Sequence, residues 1–310
     1  MRLRITHDTR YEYEPSVQTA LHVAHLVPPP TRCQDRTESR LEIDPAPATL
    51  TETLDIYRNV RAFFEVDAAH DHLHVRATSL VTTWAPEAVD SRLAWDAVQD
   101  AFIYRRGADW HPAAEFIYPS VHVHPSALFA DYARPSFPPG RPLLDAAREL
   151  MQRVHTEFTY AADATEINTP AAVALERRMG VCQDFSHVML ACLRSLGLPA
   201  RYVSGYLLTQ PPPGRPRLVG SDASHAWVSV FLPDIAARAG GHGWYDLDPT
   251  NCRDGWGSPG EDFVRLAVGR DYADISPMRG VLLGSGKHAL HVGVTVEPFE
   301  HASLAGAPPV

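Results

Sequence analysis

The chain changes its hydrophobic period more than once. Over residues 1–85, apolar and polar positions alternate in short runs such as Tyr11-Glu-Tyr-Glu, Arg40-Leu-Glu-Ile-Asp and His72-Leu-His-Val-Arg, with Pro-rich or polar stretches between them. A period of two with such breaks predicts a small N-terminal antiparallel β-sandwich or barrel domain. Residues 86–142 read as a helical and Pro-rich connector, with a helical pattern at Ser91–Phe102 and then a Pro-rich span from Pro112 to Pro142. Residues 143–270 open on a helical pattern at Leu143–Phe158 and run helix, helix, strand, strand, strand. They predict an α+β core, a helix packed on an antiparallel sheet rather than a doubly wound sheet. In 271–310, His291-Val-Gly-Val-Thr-Val-Glu alternates like one more strand, a candidate to return to the N-terminal domain. Pro211-Pro-Pro-Gly-Arg-Pro-Arg217 is expected to be a stiff exposed loop between two strands.

Candidate chemistry concentrates in Gly180-Val-Cys-Gln-Asp-Phe-Ser-His-Val-Met-Leu-Ala-Cys-Leu-Arg-Ser-Leu-Gly-Leu-Pro199. Phe185, Val188, Met189, Cys192, Leu193 and Leu196 recur at helical spacing, which predicts a helix over about 182–196, ended by Gly197 and Pro199. Cys182 then sits in the first turn, where unpaired N–H groups and the positive end of the helix dipole favour a thiolate. Cys192 belongs to the apolar stripe and reads as a small core residue. His187 follows Cys182 by five residues, about 140° round the helix, so it reads as a helix-surface residue and not as a base. Asp184 suits a helix start, yet its charge would raise the pKa of a nearby thiol. A helix-start cysteine alone is more often an ordinary buried thiol than a nucleophile. A base on another element decides between them.

In Ser224-His-Ala-Trp-Val-Ser-Val-Phe-Leu232, Ala226, Val228, Val230 and Leu232 share one strand face, and His225, Trp227, Ser229 and Phe231 the other. Gly243-Trp-Tyr-Asp-Leu-Asp-Pro-Thr250 reads as the returning strand, stopped by Pro249, with Trp244, Asp246 and Asp248 on one face. With Phe231 opposite Trp244, Ser229 faces Asp246, Trp227 faces Asp248 and His225 faces Thr250. Asp248 is then the diagonal neighbour of His225, with Asp246 further away, and is the better orienter.

Taken together, Gly180-Val-Cys-Gln-Asp, Leu193-Arg-Ser-Leu-Gly-Leu-Pro-Ala-Arg-Tyr-Val-Ser-Gly-Tyr206, His225-Ala-Trp and Gly243-Trp-Tyr-Asp-Leu-Asp-Pro-Thr250 resemble the bacterial transglutaminase-like branch of the papain-like cysteine enzymes. Tyr11-Glu-Tyr, Asp55-Ile-Tyr-Arg-Asn59 and His70 before Leu73-His-Val resemble the β-rich N-terminal domain that accompanies this core, so the resemblance covers most of the chain. It implies a papain-like transglutaminase core and a Cys-His-Asp triad, which maps onto Cys182, His225 and Asp248. One position departs from the pattern: Arg58 stands where the family usually has a glycine before Asn59.

The chemistry so implied is acyl transfer on a protein or peptide carboxamide through a thioester. The Cys182 N–H and one further donor would meet the oxyanion. Water resolving the thioester makes a peptidase or amidase, an amine makes a transglutaminase, and the same three residues serve both. Hydrolysis is the expectation, because water is always present and no feature visibly excludes it. A non-catalytic peptide-binding or assembly module is an alternative of a different class. A metallohydrolase has only the 16 histidines behind it, and His70-Asp-His-Leu-His74 and His122-Val-His124 read more simply as exposed strand histidines.

Composition narrows the partners. With 45% hydrophobic residues among 310, the chain can bury a substantial core. The 37 acidic against 28 basic residues give a formal charge of -9 without a Lys/Arg cluster, so a protein or peptide substrate is expected and nucleic acid is not. The N-terminus Met-Arg-Leu-Arg-Ile-Thr-His-Asp-Thr-Arg has no apolar leader pattern, and no run approaches the roughly 20 apolar residues of a membrane span. The expected location is the cytoplasm, where Cys33, Cys182, Cys192 and Cys252 stay thiols. No metal or other cofactor is expected: animal relatives use calcium, but no loop here has regularly spaced acidic ligands. Activity should therefore be unchanged in EDTA. Inactivation that added metal reverses would contradict this.

Overall fold

The computed structural model describes residues 1–107, 109–161, 164–209, 224–284 and 286–299; the Pro211–Arg217 stretch lies outside them. The first strands are β1 (Arg2–Val17), β2 (Thr19–Ala24), β3 (Gln34–Asp44), β4 (Thr49–Leu54), β5 (Val60–Val66) and β6 (His70–Thr83). Next come α1 (Trp95–Phe102), α2 (Ala127–Ala133), α3 (Leu143–Glu157), β7 (Thr159–Tyr160), α4 (Ala171–Arg177), β8 (Met179–Gly180) and α5 (Cys182–Ser195). The remainder is β9 (Ala200–Leu207), β10 (Ser224–Phe231), α6 (Pro233–Arg238), β11 (Trp244–Asp248), β12 (Arg253–Trp256), β13 (Phe263–Gly269), β14 (Met278–Leu283) and β15 (Lys287–Pro298). Among the described residues no helix is long and apolar enough to cross a membrane.

The N-terminal strands make two open four-stranded antiparallel sheets, ordered β15-β1-β6-β3 and β14-β2-β5-β4. They face each other across Tyr13, Leu73 and Val75 on one side and Ala20, Phe64 and Val66 on the other, a sandwich and not a closed barrel. Strands β14 and β15, from the end of the chain, return to pair with β2 and β1. The alternation of β1 and β6 runs past the sandwich. Along the same face, Leu3, Ile5 and Val81 join Val294 and Val296 against Tyr206, Val264 and Leu266 of a third sheet. One face of two long strands thus serves two cores.

The third sheet has the order β12-β11-β10-β9-β13. Helix α5 packs on Tyr202, Ala226, Val228 and Val230 of this sheet, and α2, α3 and α4 also pack on α5. The spacing of α5 predicts one apolar face, but the helix is buried from Asp184 to Arg194. The reason is α2, whose Phe129, Ala130, Tyr132 and Ala133 enter the same core from within the Pro-rich 112–142 span. Polar residues of α5 are satisfied across the contacts: Arg194 donates to Ala200 O from Nε (3.0 Å) and Nη2 (2.8 Å) and to Ser120 Oγ (3.1 Å).

Strand β13 is an edge, whose outward backbone groups would be unpaired. Two buried side-chain amides take the place of a neighbouring strand. Asn59 Nδ2 donates to Val268 O (2.7 Å) while Val268 N donates to Asn59 Oδ1 (2.8 Å). Gln34 Nε2 donates to Arg265 O (2.8 Å) while Arg265 N donates to Gln34 Oε1 (2.7 Å). Asp55 holds the Asn59 turn by accepting from Asn59 N (2.8 Å) and Nδ2 (2.8 Å). Asn59→Leu should therefore cost about 2–4 kcal/mol in urea denaturation, since it strands a buried N–H and C=O. A loss below 1 kcal/mol would rule out this tie.

Candidate functional site

The backbone ahead of Cys182 is fixed from both sides. Tyr160 pairs with Gly180 in the parallel β7–β8 bridge, and Ala161 N donates to Gly180 O (2.9 Å). Asp184 Oδ2 accepts from Val181 N (2.8 Å) and Thr165 Oγ1 (2.6 Å), so Asp184 is a buried cap of the helix start. A Cβ at position 180 would lie 2.5 Å from Asp184 Oδ2, which explains the glycine. Cys182 emerges partly exposed as the first helical residue, with its N–H in the unpaired first turn, whereas Cys192 is fully buried.

The hairpin adopts the expected register: Phe231 pairs with Trp244 and Ser229 with Asp246. His225 lies one residue into β10 and is buried, not a solvated strand histidine. Its Nε2 donates to Asp248 Oδ2 at 2.8 Å across the diagonal. Asp248 has no exposed surface; Oδ1 accepts from Thr250 N (2.9 Å), and Oδ2 also accepts from Asn251 Nδ2 (2.7 Å). With Nε2 committed to the carboxylate, Nδ1 is the ring nitrogen left over, and Cys182 lies near enough to the imidazole to help raise its pKa. Burial alone would pull His225 down, but the Asp248 carboxylate and Cys182 outweigh it and carry the imidazole up to about 10.

The structure therefore brings Cys182, His225 and Asp248 together. Asn251, which the sequence reading omits, joins them; its only sequence signal is its place three residues after the aspartate, in the turn that Asp248 initiates. His187 is corrected: it is buried, its Nε2 accepts from Tyr272 N (3.3 Å), and its ring stacks on His122 with centroids 5.3 Å apart. Burial outweighs the nearby Asp271 and holds this imidazole well below its ordinary value. Nor do the histidine-rich runs lie uniformly exposed, since His70 is buried and His74 pairs with Asp8 at 2.6 Å. Among the described residues no group of three or more His, Cys, Asp or Glu side chains is placed to hold a metal. Cys252, the other partly exposed thiol, is pushed up by burial and by Asp254 and Asp248.

Both parts of the chain are similar to known proteins. Residues 131–249 match the model of the transglutaminase-like superfamily, and residues 3–82 that of the bacterial transglutaminase-like N-terminal region. An uncharacterized protein of Mycobacterium tuberculosis is 37% identical over 312 residues, covering 98% of this chain and 95% of its own length. One from Mycobacterium leprae is 32% identical over 299 residues, or 95% and 98% of the two chains. A protein-glutamine gamma-glutamyltransferase of Pseudomonas aeruginosa is 31% identical over 135 residues, 42% of this chain but 19% of that protein. A solved structure of a candidate cysteine protease from Cytophaga hutchinsonii shares the fold, with a TM-score of 0.72 over 97% of this chain and 92% of that one, at 19% identity.

The raised His225 gives a test by pH. A folded value of about 10 above an ordinary 6.5 means its stabilisation is complete below about pH 6.5 and is lost as pH rises through about 10. In Asp248→Asn, imidazole NMR should show the titration moving down toward 6.5, and the fall in unfolding free energy between pH 7 and 10 should flatten. An unmoved titration would deny Asp248 this role.

Proposed function

Because the chain belongs to the transglutaminase-like superfamily, joined to its bacterial N-terminal region, we propose that its cysteine-dependent acyl transfer runs on Cys182, His225 and Asp248, and that water is the usual acceptor. The observation that carries this reading is the 2.8 Å bond from His225 Nε2 to a fully buried carboxylate, which leaves the other ring nitrogen to a partly exposed thiol at a helix start.

Cys182 Sγ attacks the carbonyl carbon of a protein or peptide carboxamide, and the C=O π pair moves onto oxygen. The Cys182 backbone N–H at the head of α5 stabilises that oxyanion. As the intermediate collapses, the C–N bond breaks, protonated His225 gives its proton to the leaving amine, and a thioester remains. Neutral His225 then takes a proton from water as the water attacks the thioester, and returns it to the thiolate when the free acid leaves. Asp248 holds the imidazole in one tautomer and stabilises it while charged. Asn251 and the Thr250 N–H keep the carboxylate from turning away.

Cys182 is partly exposed, and an acceptor as small as water favours hydrolysis. The short segment shared with the Pseudomonas glutamyltransferase supports the second reading, in which a primary amine replaces water. A glutamine-containing peptide incubated with an amine donor should give mostly free acid, and a majority of amine conjugates by mass spectrometry would reverse the choice. Cys182→Ala should reduce turnover by roughly 10⁴-fold or more in either case. Iodoacetamide at pH 7 should label Cys182 fast, with protection by substrate, and Cys252 slowly. Equal rates at the two thiols would favour a binding module with an idle triad.

A further inference from the structure

A cavity of about 750 Å³ lies between the N-terminal loops and the catalytic sheet, at the Phe231 end of β10. Phe231 lies roughly 20 Å along β10 from His225, but the lining reaches back toward that histidine, because Arg265 pairs with Gly205 and Gly205 with His225. Arg201 of β9 and Arg265 of β13 line it from the sheet, and Arg32, Arg58 and the imidazole of His242 from the loops. Among the described residues that line it there is no aspartate or glutamate, in a chain whose formal charge is -9.

The sheet arginines are short of partners. The Nε atoms of Arg201 and Arg265 are buried, and neither has a hydrogen-bond partner among the described residues. Arg201 stacks on Trp244 at 4.2 Å, which covers a face of the guanidinium and leaves its N–H edge free to donate. The carboxylate that acts on both arginines is Asp246, itself buried and already accepting from Ser229 Oγ. Burial and Arg265 together hold Arg201 down to about 9 against the pull of Asp246. At the rim, Arg32 is paired with Glu87 at 2.6 Å. Arg58 is exposed and has φ 65, a left-handed backbone conformation disfavoured for a residue with a side chain. Four guanidiniums thus face two carboxylates that lie outside the cavity, and two of the four are neighbours in a poorly solvated place. A bound anion would relieve that repulsion, and the volume is that of a small-molecule site.

We propose that this cavity binds a multiply charged oxyanion of small-molecule size, phosphate- or carboxylate-bearing, gripped by Arg201 and Arg265 from the sheet and by Arg32 and Arg58 from the loops. Such a ligand bridges the N-terminal loops and the catalytic sheet, and so couples its own concentration to the stability of their junction.

Calorimetric titration of the full chain with pyrophosphate and with citrate, at ionic strength held constant with sodium chloride, tests this. Saturable one-site binding of at least one anion is expected, with Tm rising as that anion is added. The tighter of the two identifies a phosphoryl or a polycarboxylate ligand. Arg201→Met and Arg265→Met should each weaken binding tenfold or more. Arg58→Gly, which relaxes the backbone while removing a rim charge, should fold at least as stably and still weaken binding several-fold. The proposal falls if neither anion binds saturably, or if the folded variants bind as the parent does.

Discussion

A helix enclosed by other elements along most of its length must settle its polar groups inside the protein, and this constraint on α5 organises the catalytic half of the chain. Asp184 takes the Val181 N–H and the Thr165 hydroxyl, His187 takes the Tyr272 N–H, and Arg194 binds the Ala200 carbonyl and the Ser120 hydroxyl. Each bond pins a different segment against the helix. Apolar burial, at about 25 cal/mol per Å², supplies most of the attraction but is non-directional. The polar ties fix where each segment lies. The two ends of the helix are left partly exposed, Cys182 and Gln183 at its start and Ser195 at its close.

The N-terminal sheets are bound to this arrangement by more than a linker. The odd-numbered face of β1 and β6 is one continuous surface divided between two cores, so neither sheet system can slide without uncovering apolar side chains in the other. The amides of Gln34 and Asn59 then supply β13 with hydrogen bonds of the kind a neighbouring strand would make. Strand β13 pairs with β9, and β9 with β10, which carries His225. The N-terminal part of the chain therefore helps to set the position of His225.

Much of the site was legible because the relevant information was periodic. Alternation in Ser224–Leu232 and Trp244–Asp248 assigns faces, and the stop at Pro249 together with the Phe231–Trp244 pair sets a register that puts Asp248 diagonal to His225. Helical spacing likewise placed Cys182 at a helix start and Cys192 in the core. Contacts made by residues far apart in sequence left no periodic trace. The burial of His187 depends on elements packed around α5, one of which, α2, is a seven-residue helix inside a Pro-rich span. Alternation also cannot tell a sandwich from a barrel, because closure depends on which strands pair at the edges, and here β14 and β15 arrive from the other end of the chain. Asn251 escaped because the direction of an amide in a turn is a matter of coordinates and not of pattern.

The two aspartates of β11 show why position on a shared face is not enough to define a catalytic acid. Asp246 and Asp248 are both buried, both point to the face that carries His225, and differ by two residues. Asp248 is met by the imidazole, a backbone N–H and the Asn251 amide, so of the two it is the one that bonds His225. Asp246 accepts from Ser229, and its burial raises its pKa against the pull of Arg201. Its contact is with Ser229 and its field acts on Arg201 and Arg265, not on the imidazole. Trp227, fully buried, stands between His225 and Ser229 on the same face and separates the His225–Asp248 pair from the Ser229–Asp246 pair.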